Sequence, residues 1–330
     1  MKLLSTAFLL FSALLPTVYA HGFVGQVAID GKWYAGNVPG DDNPGESPIR
    51  QISDIGPVKG ASNQDLRCGL SAQKASMVVN ANPESKYSIQ WSGGAGQKWP
   101  HNTGPLMTYM ASCGSTSCDQ YDPDGDTKWF KIDQLGKESD GSTWYQQDVM
   151  QGDAYTITLP SNLSPGGYLI RHEIIALHLA TSMGGAEFYP SCTQVMIGGN
   201  GNGQPNGTVA FPGAYSDSDP GIYDPNVYDP GSAYVFPGGP LSNLVATDGT
   251  MSNGQSSSAA FPSGTAAPSA SPHASSTAGG ASPSAQPTSS SSQSGGAQCR
   301  LQRRDTSGLQ PRHYSRIMRR LLHHTGFGSS

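Results

Sequence analysis

Eight histidines occur in the 330-residue chain, and four of them, His21, His101, His172 and His178, fall in the stretch that reads as folded. Their spacing fits none of the familiar zinc signatures. His21 differs in kind because of what precedes it. Lys2, an apolar run over residues 3–15 and the tripeptide Val18-Tyr19-Ala20 read as a secretory signal over residues 1–20, with cleavage expected after Ala20. The run is too short to span a bilayer, and no later segment is long and apolar enough. A secreted, extracellular chain without a membrane partner is expected. Cleavage makes His21 the first residue. Its free α-amine, with a pKa of about 8, and its own Nδ1 then close a chelate ring. One further imidazole completes three nitrogens in a plane, which copper(II) favours.

The further groups must come from elsewhere. His101 lies in Trp99-Pro100-His101-Asn102-Thr103-Gly104-Pro105, a loop before the apolar run 106–110. His172 and His178 lie in one apolar run over residues 168–180, read as a central strand. They share parity along it, so they face the same way if no bulge intervenes. Six residues at about 3.3 Å each put them roughly 20 Å apart, so at most one reaches a given metal. Glu187 and Tyr189 also share parity, opposite to Phe188. A carboxylate and a phenol on one face make a plausible site edge.

The elements that position these residues read as strands. Short apolar runs recur at 23–29, 76–79, 87–91, 106–110, 154–159, 168–180 and 192–197 between Gly and Pro signals. No helical stripe is sustained, and helix is expected only as short turns. The pattern predicts an all-β, immunoglobulin-like or fibronectin-like sandwich with long loops. It occupies residues 21–250, followed by a Ser/Pro/Gly/Ala-rich linker over 251–298 and a basic, disordered tail over 299–330.

Residues 21–299 carry 11 Lys or Arg against 23 Asp or Glu. That acidic body argues against nucleic acid and suits a neutral polymer. Of five cysteines, Cys68, Cys113, Cys118 and Cys192 fall in the folded stretch and Cys299 in the tail. Four cysteines allow three connectivities. The short Cys113–Cys118 loop can close locally, which leaves Cys68 with Cys192. Asn162-Leu163-Ser164 and Asn206-Gly207-Thr208 fit N-glycosylation of surface loops.

Together the blocks His21-Gly-Phe-Val, Ile29-Asp-Gly-Lys-Trp-Tyr34, Gly56-Pro-Val, Asp65-Leu-Arg-Cys68, His101-Asn-Thr-Gly-Pro105, Arg171-His-Glu173, Phe188-Tyr-Pro-Ser-Cys192 and Asp219-Pro-Gly-Ile222 carry a resemblance. The chain resembles the fungal lytic polysaccharide monooxygenases of auxiliary activity family 9, once classed as glycoside hydrolase family 61, over about residues 21–245. The resemblance implies a copper ion held by the His21 amine and imidazole, by His101, and by Tyr189 as a long axial contact. It implies that His178 hydrogen-bonds oxygen species beside the copper, leaving His172 a bystander, and it agrees with the disulfides above. Glu187 departs from the family, which usually has Gln there. An ionised Glu only accepts hydrogen bonds whereas Gln also donates, so a more pH-dependent activity is expected, and Glu187→Gln should alter the rate–pH profile.

The resemblance further implies the activity. An external donor, either a small-molecule reductant or cellobiose dehydrogenase, reduces the copper. With dioxygen or hydrogen peroxide, hydrogen is then abstracted at C1 or C4 of cellulose or a related β-1,4-glucan, and elimination breaks the chain. Such a site must lie on a flat, copper-bearing face, where Tyr34, Tyr223 and Tyr228 are candidates to stack on sugar rings. A monomer is expected. The alternative is a non-catalytic cellulose-binding or copper-binding secreted protein. A hydrolase with two carboxylates about 5–10 Å apart has no pairing signal, and no His-Glu-x-x-His of a metalloprotease occurs.

Overall fold

In a computed structural model, residues 20–253 are described. The expected signal segment before Ala20, the linker beyond Asn253 and the tail with Cys299 lie outside the described residues. Ten strands form two five-stranded sheets. They are β1 (Gly22–Ile29), β2 (Lys32–Ala35), β3 (Val79–Ala81), β4 (Lys86–Gly93), β5 (Leu106–Ser112), β6 (Phe130–Leu135), β7 (Asp153–Thr158), β8 (Gly166–Ala176), β9 (Glu187–Ile197) and β10 (Thr247–Asn253). One sheet runs β10-β7-β4-β1-β2 and the other β3-β9-β8-β5-β6. All pairings are antiparallel except β3 with β9. The one described α-helix, α1 (Gln146–Gln151), is a short turn between β6 and β7. No described helix is long and apolar enough to cross a membrane.

The two sheets differ in what they bury. On β4, Tyr87, Ile89 and Trp91 point into the inter-sheet core while their neighbours are half exposed. That is the alternation of a sheet with one wet face. β8 is buried on both faces. Tyr168, Ile170 and Ile174 join the inter-sheet core. Leu169 and Ile175 join a second cluster with Phe211, Tyr215, Ile222 and Val227. The long loops after β9 therefore form a third layer over this sheet. Both disulfides pair as expected, Cys68–Cys192 and Cys113–Cys118, and the first ties β9 to the segment before β3.

Four expectations change. The run over 168–180 is a strand only to Ala176, so His178 lies beyond it and its parity with His172 has no meaning. The strand expected at 192–197 starts earlier, at Glu187, because Phe188 pairs with both Ile175 and Val58. The strand expected at 76–79 becomes β3 at Val79–Ala81. β10 reaches Asn253, three residues past the expected domain boundary.

His172 is buried between the sheets, with its Nδ1 3.0 Å from the Thr108 hydroxyl and the Trp91 and Tyr155 rings each 6.0 Å away. Burial, then the charge of Arg171, pushes its pKa down to about 3. The unfolded chain takes up this proton at about pH 6.5, so the neutral ring favours folding fully above that pH. The contribution is lost as pH falls toward 3, by about 1.4 kcal/mol per pH unit. His172→Gln should lower stability at pH 7 yet flatten its decline. Between pH 6.5 and 4.5 the variant's urea-derived stability should fall by about 2 kcal/mol less than that of the parent. Parallel declines would show that His172 does not carry this term.

Candidate metal centre

Four chain segments converge at one end of the sandwich. His21 immediately precedes β1, where Gly22 pairs with Gly93 of β4. A Cβ on Gly22 would collide with the Ser92 carbonyl and lie 2.9 Å from the Trp99 ring, so only glycine lets β1 start this close. The His21 carbonyl accepts from Gly94 N at 3.2 Å, which fixes the residue before β1 over the loop that follows β4. That loop carries Trp99 and His101. Leu177 N donates to Thr103 O at 2.9 Å, which sets the residues after β8 alongside the His101 loop. His178 follows directly, and its own carbonyl accepts from the Tyr228 hydroxyl at 2.7 Å. Glu187 and Tyr189 stand on the same face of β9, as their parity requires.

The side chains meet closely. His101 Nε2 lies 3.5 Å from the Tyr189 hydroxyl and 3.7 Å from Glu187 Oε2. His178 Nε2 lies 3.9 Å from the same Oε2. The His101 and His178 rings stack with centroids 4.2 Å apart and planes 15° from parallel. The His21 ring centroid is 6.4 Å from that of Tyr189. Trp99 makes the floor, edge-on to His101 at 5.3 Å and to Tyr189 at 4.8 Å. His172 belongs to the core and takes no part.

The electrostatics leave nitrogen lone pairs free at neutral pH. Burial foremost, then His178 and His21, pushes the His101 pKa down to about 4 against the opposing pull of Glu187. Burial also lowers His178, helped by Lys59 and His21. Its Nδ1 is buried with no hydrogen-bond partner among the described residues. For Glu187, burial pushes the pKa up, but the hydrogen bonds from Tyr189 and Lys59 and the charges of Lys59 and His178 outweigh it, and the net shift is downward. Burial raises the Tyr189 phenol, and Glu187 raises it further, so it stays protonated and donates to Glu187 Oε2 at 2.8 Å.

This donor set fits copper. Two neutral imidazoles and a neutral phenol face one another, and the backbone of Ala20 lies close enough to act on His101 as a hydrogen-bond partner. Releasing Ala20 would therefore free the His21 nitrogen beside the His101 ring. The ligand atoms of His101, His178 and Glu187 also lie within 4.8 Å of one another. In-plane lone pairs of two stacked rings run side by side rather than converging, however, and both Glu187 oxygens already accept bonds. One imidazole of the pair suits a metal, and the other stands beside it.

The sequence signature of Auxiliary Activity family 9 (formerly GH61) matches residues 21–234. The chain belongs to this family. It is 58% identical over 328 residues to the AA9 family lytic polysaccharide monooxygenase D of Gloeophyllum trabeum, covering 96% of this chain and 95% of that protein. Its fold matches a cellulose-active polysaccharide monooxygenase from M. thermophila with a TM-score of 0.60 and 31% identity, over 70% of this chain and 100% of the other. It also matches the extended catalytic domain of H. jecorina LPMO9A with a TM-score of 0.60 and 31% identity, over 66% and 89% of the two chains. Family 9 membership makes the chain a copper-dependent lytic polysaccharide monooxygenase, which displaces the non-catalytic alternative.

The remaining candidates are more scattered. Tyr228 is 59% exposed and is tied to His178 through its hydroxyl. Tyr223 is half-buried, and its backbone N donates to Asp219 O at 2.8 Å. Tyr34 pairs with Val27 on β1, with Lys32 Nζ 5.1 Å over its ring. That is five residues along β1 from Gly22, about 17 Å. Asn162 and Asn206 are exposed on loops, and the Asn206 side chain is bonded to Asn243. The sequence reading missed Lys59. Its Nζ lies 3.1 Å from Glu187 Oε1, and a single lysine beyond the Gly56-Pro-Val block gives no signal of that contact.

Proposed function

We propose that the secreted chain, cut after Ala20, cleaves cellulose or a related β-1,4-glucan oxidatively at C1, C4 or both, using an external electron donor and dioxygen or hydrogen peroxide. The observation that carries this reading is the convergence of His101, His178, Glu187 and Tyr189 beside His21 in a chain of family 9. His21, through its amine and imidazole, and His101, through Nε2, would hold the copper, with the Tyr189 hydroxyl as a further ligand. When bound, copper supplies the one-electron chemistry that activates the oxygen co-substrate.

The protein's own groups do the rest. Glu187 accepts the hydrogen bond of the Tyr189 hydroxyl and so turns the phenol's lone pairs away from itself. Trp99 closes the floor against water. His178, held through its carbonyl by Tyr228 and only part-buried, offers Nε2 as a hydrogen-bond partner to an oxygen species or to substrate. Tyr228, Tyr223 and Tyr34 are the candidates to stack on sugar rings, with Tyr228 the best placed because it adjoins His178. The two disulfides suit the oxidising compartment that secretion implies.

The decisive measurement is mass spectrometry of products from cellulose incubated with the secreted protein, copper, ascorbate and peroxide. Aldonic acids, 4-ketosugars or both are expected, and EDTA should abolish them. Only unmodified oligosaccharides, or none, would sink the proposal. N-terminal sequencing should read His-Gly-Phe-Val.

A further inference from the structure

The geometry points to Lys59 as a positioning residue of the site. We propose that Lys59 is the charge partner that allows a glutamate to stand at position 187, and that Lys59, Glu187 and Tyr189 form one relay fixing the direction of the Tyr189 hydroxyl. The inference rests on the copper reading above and extends it to a residue outside the proposed ligand set.

The Glu187 side chain is only 8% exposed, and a carboxylate that deeply placed needs a partner. Among the described residues its basic neighbours are His101 at 3.7 Å, His178 at 3.9 Å and Lys59 at 3.1 Å. Lys59 is the nearest of the three, and its ammonium meets the carboxylate directly. The backbone puts it there. Val58 N donates to Phe188 O at 2.8 Å, and Phe188 N donates back to Val58 O at 3.1 Å. This bridge lays Lys59 beside Glu187. The ammonium also lies 3.4 and 3.5 Å from the carbonyls of Gly185 and Ala186.

The two oxygens of Glu187 thereby divide their work. Oε1 takes Lys59, and Oε2 takes the Tyr189 hydroxyl at 2.8 Å. A phenol has one proton to give. Giving it to Oε2 leaves its lone pairs for the space shared with His101 Nε2. Without Lys59 the carboxylate is an uncompensated buried charge. It is relieved by turning outward, and that change releases the phenol. Glu187→Gln removes the charge but keeps an acceptor for Tyr189, so the need for Lys59 disappears with it.

The test is a double-mutant cycle on the full secreted protein with K59M, E187Q and the pair, and with K59R as the conservative control. Lys59 is 47% exposed, so the substitution leaves the core intact. K59M should lower peroxide-driven kcat about tenfold and change the electron paramagnetic spectrum of the copper(II)-loaded protein. K59R should retain both parental values. In the E187Q background, K59M should change neither. In the copper-free protein, K59M should lower the melting midpoint only where Glu187 is present. Equal effects of K59M in both backgrounds, or no effect in either, overturn the relay while the unmodified protein still releases oxidised products. If the unmodified protein releases none, the copper reading fails, and the relay fails with it.

Discussion

Replacing His101 with alanine is expected to weaken copper(II) binding by more than about a hundredfold and to remove oxidised product altogether, whereas His178→Ala should keep the affinity within a few-fold and lower only the rate. The first figure is a lower bound. Losing an outer-shell partner of a metal ligand already weakens binding about 10- to 100-fold, and losing a ligand must cost more. The contrast follows from the stacked rings 4.2 Å apart. Stacked face to face with nearly parallel planes, they cannot both aim an in-plane lone pair at one ion. Burial pushes the His101 pKa down to about 4, and its Nε2 faces the Tyr189 oxygen. His178 Nε2 lies 3.9 Å from Glu187 Oε2. Isothermal titration of copper(II) into the copper-free variants separates the two roles. If His178→Ala loses affinity and His101→Ala keeps it, the assignment is reversed. A companion chain that retains Ala20 before His21 should behave like His101→Ala, because the amide nitrogen cannot ligate as an amine does.

Much of this centre was legible in the sequence, for local reasons. Glu187 and Tyr189 share a strand face because alternation on a strand is fixed by covalent geometry. The short Cys113–Cys118 loop could close locally, and it does. β1, β4, β5 and β7 announced themselves by apolar runs between turns. What stayed hidden depends on contacts distant in sequence. β6 reads Phe-Lys-Ile-Asp-Gln-Leu, too charged to suggest a buried strand. Yet Lys131 is 1% exposed because its ammonium meets the carbonyls of Pro237 at 2.8 Å and Gly239 at 2.7 Å. β2 was not expected, although it follows the Asp30-Gly31 turn, where both residues have positive φ, the signature of a tight hairpin. His178 left its strand because the backbone after Ala176 bonds to the His101 loop instead of to β9. Lys59 reaches Glu187 through a strand bridge spanning residues 58 and 188, which no local pattern foretells.

The same dependence on distant partners makes Glu173→Gln the substitution expected to damage the fold most. Glu173 and Arg171 lie on the outer face of β8, opposite His172, and neither side chain is exposed. The guanidinium donates through Nη1 to Oε2 at 2.9 Å and through Nη2 to Oε1 at 2.8 Å, and its Nε donates to Leu66 O at 2.9 Å. Tyr215 adds its hydroxyl to Oε2, and the Phe211 ring lies 3.8 Å from the guanidinium carbon. A glutamine offers one acceptor where the fork needs two, and it leaves a buried cation unpaired. Breaking such a pair destabilises by about 3–5 kcal/mol, which is roughly 10 °C in melting temperature for a domain of this size. Removing both charges together, as R171M/E173M, should recover most of that loss, since apolar groups of similar volume replace a buried pair at little penalty. The damage should also reach the metal centre. Tyr215 belongs to the loop layer that continues to Tyr228, and Tyr228 holds the carbonyl of His178. Glu173→Gln should therefore lower activity at temperatures where the fold itself survives. Calorimetric melting of the parent, the single variant and the pair checks this. A loss below about 1 kcal/mol for Glu173→Gln, or a pair less stable than the single variant, would show that the buried ion pair does not hold the loop layer to β8.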